Sequence, residues 1–350
     1  MKRRWRLLAG LGTIVGLLVV VPVASIELGC RATPVAATAV ASPIPMDQRR
    51  PEARTWLTYP EWHIVYSAES LGRYLAKGGR PSGYDYGADV AGFWQSYCAI
   101  NRIAGARPGA SDAKLMISII GISFTVEMAV KAGWEATVGR VTEWLGGWHS
   151  PEDRYAAGVQ QRYGAFMHEV PWYGFDFAGT LAGMWRAHGP WSIVRRPERR
   201  IALSAEYGVK AVYAKGIGAM AAIQPDATSL LMIVAAAPAE VRAVDQRLSV
   251  VATGQGRTLV RAPRYAQFTD LLGKLADRGI RVTDIAGNRT IFMTMRAPTR
   301  AVPRTATIAM PLGDRAGWSR YGVTVPVRAL TDRIAAARKA GAEIEHVYDY

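Results

Sequence analysis

At 350 residues the chain is long enough for two domains, each able to bury its own core. Half of it is apolar and a fifth is charged, and two cysteines are too few for a disulfide scaffold or a cysteine-built metal site. The net charge of +15 suits phosphate or anionic lipid, but no helix-turn-helix, zinc-finger or RNA-binding signature accompanies it, which excludes nucleic acid as the expected partner.

Lys2, Arg3, Arg4 and Arg6 precede an uncharged run, Leu7–Ile26, whose length of about twenty residues is enough to cross a bilayer as a helix. Basic residues ahead of the run place the amino terminus in the cytoplasm and the bulk of the chain on the far side. The expectation is a signal-anchor over 1–30, in a single-pass protein of the cell inner membrane with its bulk in the periplasm. A cleaved signal peptide is the alternative. Val23-Ala24-Ser25 offers a tolerable cleavage site, although the run exceeds the usual apolar region of roughly 7–15 residues. Lipidation at Cys30 is disfavoured by Glu27. Cys30 and Cys98 read equally as one disulfide in an oxidising compartment or as two thiols, one at the membrane edge and one buried.

Residues 31–57, rich in Ala, Pro and Thr without periodicity, read as a linker. Structure resumes at Thr58-Tyr59-Pro60-Glu61, a capping-box pattern with proline in the first turn. The expected helix runs to Lys77 and ends at Gly78-Gly79. A short aromatic helix over Val90–Arg102 follows. Ser111-Asp112 caps another, in which Glu127 is the only charge from Leu115 to Val130. That stretch is marginal for a membrane span and typical of a buried helix. Ser150-Pro151-Glu152-Asp153 starts the next helix. Trp172-Tyr173-Gly174-Phe175 is an aromatic turn, and further helices reach His188 and run from Glu198 to before Pro225. Residues 58–224 are therefore expected to form an all-helical, membrane-associated domain.

The composition changes beyond it. Leu230–Ala236, Leu248–Thr253 and Thr258–Ala262 read as strands. Phe268-Thr269-Asp270 heads a helix ending at Gly279 with a strand to Ile285. Leu330-Thr331-Asp332 heads a helix ending at Gly341 with a strand to Val347, and Arg289–Met295 is a strand between the copies. Strand, helix, strand, strand, helix, strand is the ferredoxin-like βαββαβ order, expected over 225–350. The fold class is thus α+β.

The helical region contains its own repeat. Phe124–Ala132 aligns without a gap with Leu203–Ala211, and each copy sets a Glu and a Lys four residues apart: Glu127 with Lys131, and Glu206 with Lys210. A carboxylate in apolar surroundings must be paired, hydrogen-bonded or protonated. One reading is a pair of ordinary helical ion pairs, worth roughly 0.2–0.5 kcal/mol each on an exposed face. The other is a convergent site about a local twofold, with Glu127 and Glu206 as acid and base. His63 and His168 are candidates to assist as bases. Trp62, Trp172 and Tyr173 could line an apolar pocket, and Lys131, Lys210 and the cluster Arg195, Arg196, Arg199 and Arg200 could hold an anionic headgroup. Di-metal bundles want a Glu-x-x-His motif from two helices; neither glutamate has one, so no metal is expected, and no cofactor is legible.

Two functions follow from these patterns. The favoured one is non-enzymatic: a membrane-anchored exported protein whose helical domain associates with lipid and whose ferredoxin-like module binds a ligand or protein partner. The alternative is a membrane-bound enzyme acting on a lipid or other apolar substrate through Glu127 and Glu206.

Overall fold

The computed structural model describes residues 16, 20–33, 42–190, 192–221, 228–312 and 315–349. The anchor expected over Leu7–Ile26 lies mostly outside the described residues. The chain divides into two compact units. One takes in Pro60–Gln95 and Ser118–Pro225 with the residues up to Glu27; the other takes in Leu28–Tyr59, Ser96–Ile117 and Asp226–Tyr350.

The helices ahead of the strands are α1 (Tyr59–Ala76), α2 (Tyr86–Ala104), α3 (Ala110–Trp134), α4 (Arg140–Gly146), α5 (Pro151–Met167), α6 (Phe177–Trp185) and α7 (Arg195–Ala221); the first unit holds them except for Tyr59, Ser96–Ala104 of α2 and Ala110–Ile117 of α3, which belong to the second. The capping box expected at Thr58 does not form: a helical turn, Arg54–Leu57, precedes it, and the Thr58 hydroxyl donates to the Arg54 carbonyl at 2.7 Å. The box at Ser150 does form. Asp153 N–H donates to Ser150 Oγ at 3.1 Å, Ser150 N–H donates to Asp153 Oδ2 at 3.1 Å, and Pro151 occupies the first turn. Glycines let helices approach closely. A Cβ on Gly72 would stand 2.9 Å from the Gln161 backbone of α5, and one on Gly121 of α3 would stand 2.3 Å from the Phe93 ring of α2.

A single π-type turn, Glu135–Gly139, carries α3 on into α4. The combined stretch Ala110–Gly146 is long and apolar enough to cross a membrane by length and composition, and only 28% of its most apolar window is buried. It is internal to the chain. Its outward side chains include Ile119, Val130, Val141, Trp144 and Leu145, and those of α7 include Ile201, Val209, Val212 and Tyr213, all exposed.

Among the described residues the second unit carries eight strands in two antiparallel four-stranded sheets. In chain order its elements are β1 (Ser229–Val234), α8 (Pro238–Val244), β2 (Ser249–Gly254), β3 (Arg257–Pro263), α9 (Tyr265–Asp277), β4 (Val282–Ile285), β5 (Thr290–Pro298), β6 (Ile308–Pro311), β7 (Trp318–Pro326), α10 (Leu330–Lys339) and β8 (Glu343–Tyr348). The sheet orders are β2-β3-β1-β4 and β6-β7-β5-β8, so in each the half's first strand lies between its third and fourth. The single four-stranded arrangement read from the sequence therefore gives way to two. The class is α+β with antiparallel sheets.

Alternation along the central strands explains the core. Leu230, Met232 and Val234 of β1 and Ile291, Met293 and Met295 of β5 enter one apolar cluster with Phe268, Leu271 and Leu272 of α9 and Leu330 and Ile334 of α10. The opposite face is covered by residues 42–57 of the segment read as a linker, which corrects that expectation there; residues 34–41 lie outside the described residues. Ile44 packs on Leu231 and Ile233. Thr55 Oγ1 accepts from Phe292 N–H at 3.0 Å, and Trp56 Nε1–H donates to Thr324 Oγ1 at 2.9 Å. Tyr59 sets its ring edge-on to Phe292 and Tyr348, centroids 5.7 and 5.6 Å away. Cys30 and Cys98 form a disulfide within this unit.

Candidate functional site

Helices α3 and α7 bring the two Glu/Lys pairs into one closed ring. Lys131 Nζ stands 2.9 Å from Glu127 Oε1 and 2.8 Å from Glu206 Oε1; Lys210 Nζ stands 2.8 Å from Glu127 Oε1 and 3.5 Å from Glu206 Oε1. The two contacts between helices are thus at least as short as those along each helix. Side-chain exposure is 14–15% for Lys131, Glu206 and Lys210 and 31% for Glu127. Each ammonium meets two carboxylates and each carboxylate meets two ammoniums, so the ring is neutral and its charges are mutually satisfied.

The surroundings are aromatic. The Lys210 ammonium lies 5.1 Å from the Tyr163 ring centroid and 5.7 Å from that of Phe177, within cation–π range. Burial raises the Glu206 carboxyl, but Lys131 and Lys210 outweigh it and hold the group below the usual carboxylate range. Burial pushes the phenols of Tyr163 and Tyr207 well above their ordinary value, so these rings stay neutral beside the ring of charges. Buried Tyr207 Oη has no hydrogen-bond partner among the described residues.

The histidines are engaged in other places. His63 Nε2 meets the Asp89 carbonyl at 3.1 Å, and its ring lies where a Cβ on Gly92 would collide. His168 Nε2 meets Glu69 Oε1 at 2.7 Å and sets its ring edge-on to buried Trp62, 5.2 Å between centroids. Trp172 stacks on Tyr213 of α7 at 5.4 Å, and Tyr173 lies against Gly218 on the same helix. Among the described residues no three His, Cys, Asp or Glu side chains group so as to hold a metal ion.

The arginine cluster turns inward, which corrects its reading as a headgroup clamp. Arg195 is fully buried, with Nη2 2.7 Å from Asp153 Oδ1 and Nη1 3.1 Å from Glu198 Oε2. Arg196 Nε donates to both Glu152 oxygens at 3.0 Å, and Arg200 Nε to Glu152 Oε1 at 2.9 Å, its guanidinium also lying over Trp185. Arg199 Nη1 meets Glu135 Oε1 at 2.7 Å. A guanidinium surrounded by carboxylates inside the protein is committed to them. This network escaped sequence reasoning because Glu135 and the adjacent Glu152 and Asp153 lie in segments distant along the chain from the arginines. Its legible trace was the Glu-Asp pair at the start of α5.

What the arrangement does is join helices. The ring ties α3 to α7 near its middle, and the arginine network ties the start of α7 to the turn after α3 and to α5. Comparison with protein-family models, with curated proteins and with solved structures returned no match for this chain.

Proposed function

We propose that the chain is an exported, membrane-associated binding protein without catalytic activity of its own. Its helical unit lies against lipid, and its second unit is a tandem pair of ferredoxin-like modules that takes a ligand or protein partner. The observation that carries the first part is an inverted polarity. Where α3 and α7 meet they present charges to each other, while their open faces carry large apolar side chains, with Val130 67% and Val212 77% exposed. Contiguous exposed apolar surface marks an interaction site. Polar residues joining helices whose outer faces are apolar is the pattern suited to lipid, where there is no hydrophobic drive between helices.

The modular reading rests on strand order. In each half the first strand is flanked by the third and fourth, the split arrangement of ferredoxin-like units. The Cys30–Cys98 disulfide fits an oxidising compartment and so supports export. The enzymatic alternative needs one carboxylate to hold a proton near neutral pH. The closed ring opposes that, because two ammoniums keep Glu206 ionised.

Nitroxide labels on Val130→Cys and Val212→Cys test the lipid contact in protein reconstituted into liposomes. Both labels should collide more with oxygen than with a water-soluble nickel chelate, and a label on Val251→Cys, exposed on β2, should show the reverse. Water-like accessibility at Val130 and Val212 would sink the proposal.

A further inference from the structure

The two halves of the second unit are copies set 62 residues apart, as Gly279 is from Gly341. Both glycines end their helices with left-handed backbone, at φ 67° and 80°. The same offset lays β1 on β5, β3 on β7, α9 on α10 and β4 on β8. It also allows the packing of the two halves to be compared position by position. In the first half Val241, Leu271 and Leu275 are fully buried in the core. Their counterparts at the same offset are Pro303, Arg333 and Ala337. These three line a cavity of about 360 Å³ whose sheet wall includes Met295, Tyr321 and Val325. One copy fills the space between helix and sheet with branched side chains. The other opens it.

Among the described residues the lining is apolar apart from a few hydroxyls and Arg333, the one charged residue in it. Tyr321 spends its hydroxyl on the Met295 sulfur at 3.6 Å. Among the described residues Arg333 makes no hydrogen bond or ion pair, whereas its neighbours Arg320 and Arg338 are paired with Glu345 and Asp277. Arg333 lines the cavity from an exposed position; burial raises the Tyr321 phenol, and the Arg333 charge offsets part of that rise. A concave apolar site with one convergent charged group is the usual form of a small-molecule pocket, and the volume lies in the range of such pockets.

We propose that this cavity binds a small amphipathic monocarboxylate, its apolar body against Met295, Val325 and Ala337 and its carboxylate on Arg333. The inference rests on the ligand-binding reading of the second unit and is independent of whether the first unit meets a bilayer. Titration calorimetry on the full chain in nanodiscs tests it, with octanoate as probe, 1-octanol as its uncharged analogue and acetate as the head without the body. Heats from empty nanodiscs are subtracted. Octanoate should bind one to one, and acetate at least about tenfold more weakly. Arg333→Gln should weaken octanoate by about tenfold or more, the loss of one charge-assisted hydrogen bond, and leave 1-octanol unchanged. Ala337→Leu, which restores the residue of the first half, should abolish binding of both without lowering the melting temperature. If that variant melts early, Ala340→Leu, also on the cavity lining, replaces it. No saturable octanoate binding in the native chain, or octanoate binding untouched by Arg333→Gln and by the filling variant, overturns the proposal. Survival of the lipid-contact result beside such a failure would leave the first unit's role standing.

Discussion

Exchanging the charges of one helix separates a four-membered ring from two independent ion pairs. Glu127→Lys with Lys131→Glu keeps the net charge and keeps an opposite pair four residues apart on α3. It turns both contacts between helices, Lys131 with Glu206 and Lys210 with Glu127, each 2.8 Å, into like-charge contacts. Unit charges about 4 Å apart interact by roughly 4 kcal/mol at an effective dielectric near 20. The new side chains will partly escape to water, most readily at position 127, which is already 31% exposed. The expected cost is therefore about 3–5 kcal/mol, the range for breaking a buried pair. Independent helical pairs predict less than about 1 kcal/mol, since each contributes roughly 0.2–0.5 and survives in reversed order. Exchanging all four residues restores both contacts between helices and should recover stability to within about 1 kcal/mol of the native chain. Denaturant unfolding followed by tryptophan fluorescence measures all three proteins; Trp134 bonds Glu198 at 2.6 Å and reports on this helix junction. A single-helix exchange costing under about 1 kcal/mol, or a fourfold exchange no better than it, would refute the ring.

The Cys30–Cys98 disulfide closes a separation of 68 residues; on chain-entropy grounds its loss should cost about 4 kcal/mol. Reduction or Cys30→Ser should lower the denaturant midpoint accordingly, and ready alkylation of both thiols in the unreduced protein would contradict the pairing. Arg247 and Lys274 bridge Asp245 and Asp270 at 2.6–3.1 Å. The hydrogen bond from Arg247 chiefly depresses the Asp245 carboxyl; at Asp270 burial pushes upward and Arg247 with Lys274 outweighs it. A depressed carboxylate gives stability that is fully present above its unfolded value, about 3.9, and is lost as pH falls through the lower folded value. The gap in melting temperature between the native chain and Asp245→Asn should thus be constant from pH 7 to about 5 and shrink below about 4. A gap unchanged down to pH 2 would remove this cluster from the acid response.

Much of this was legible because duplication makes signal out of repetition. The Glu127/Lys131 and Glu206/Lys210 spacings recur at matched positions, and two helix–glycine–strand units recur at Gly279 and Gly341. What stayed hidden lacks a period. Ile44 and Trp56 bury themselves as single anchors in an irregular segment, so nothing in 31–57 distinguished a covering strap from a linker. Strand β7 is centred on Gly322, which makes room for the Phe292 ring, and an interior glycine reads as a loop. Arg195 and Arg199 read as a headgroup-holding cluster because a basic run alone does not name the distant carboxylates that receive it.

The two charged assemblies divide the work along α7. Near its start the arginine network meets Asp153 and Glu135; two to three turns on, the ring meets Glu127 and Lys131. Apolar packing carries only part of this seam: Leu203 and Tyr207 of α7 pack on Ala156, Val159 and Met184, while Ile201, Val209 and Val212 are left exposed. In water that choice forfeits burial worth roughly 1.5–3 kcal/mol for each large aliphatic side chain left exposed. Against lipid nothing is forfeited, because acyl chains solvate those faces as well as another helix would. Buried charges must in either medium be neutralised locally, and a closed ring does so without drawing on solvent. The polarity of α3 and α7 is therefore costly in water and cheap at a bilayer, which is the physical argument for placing these helices against one.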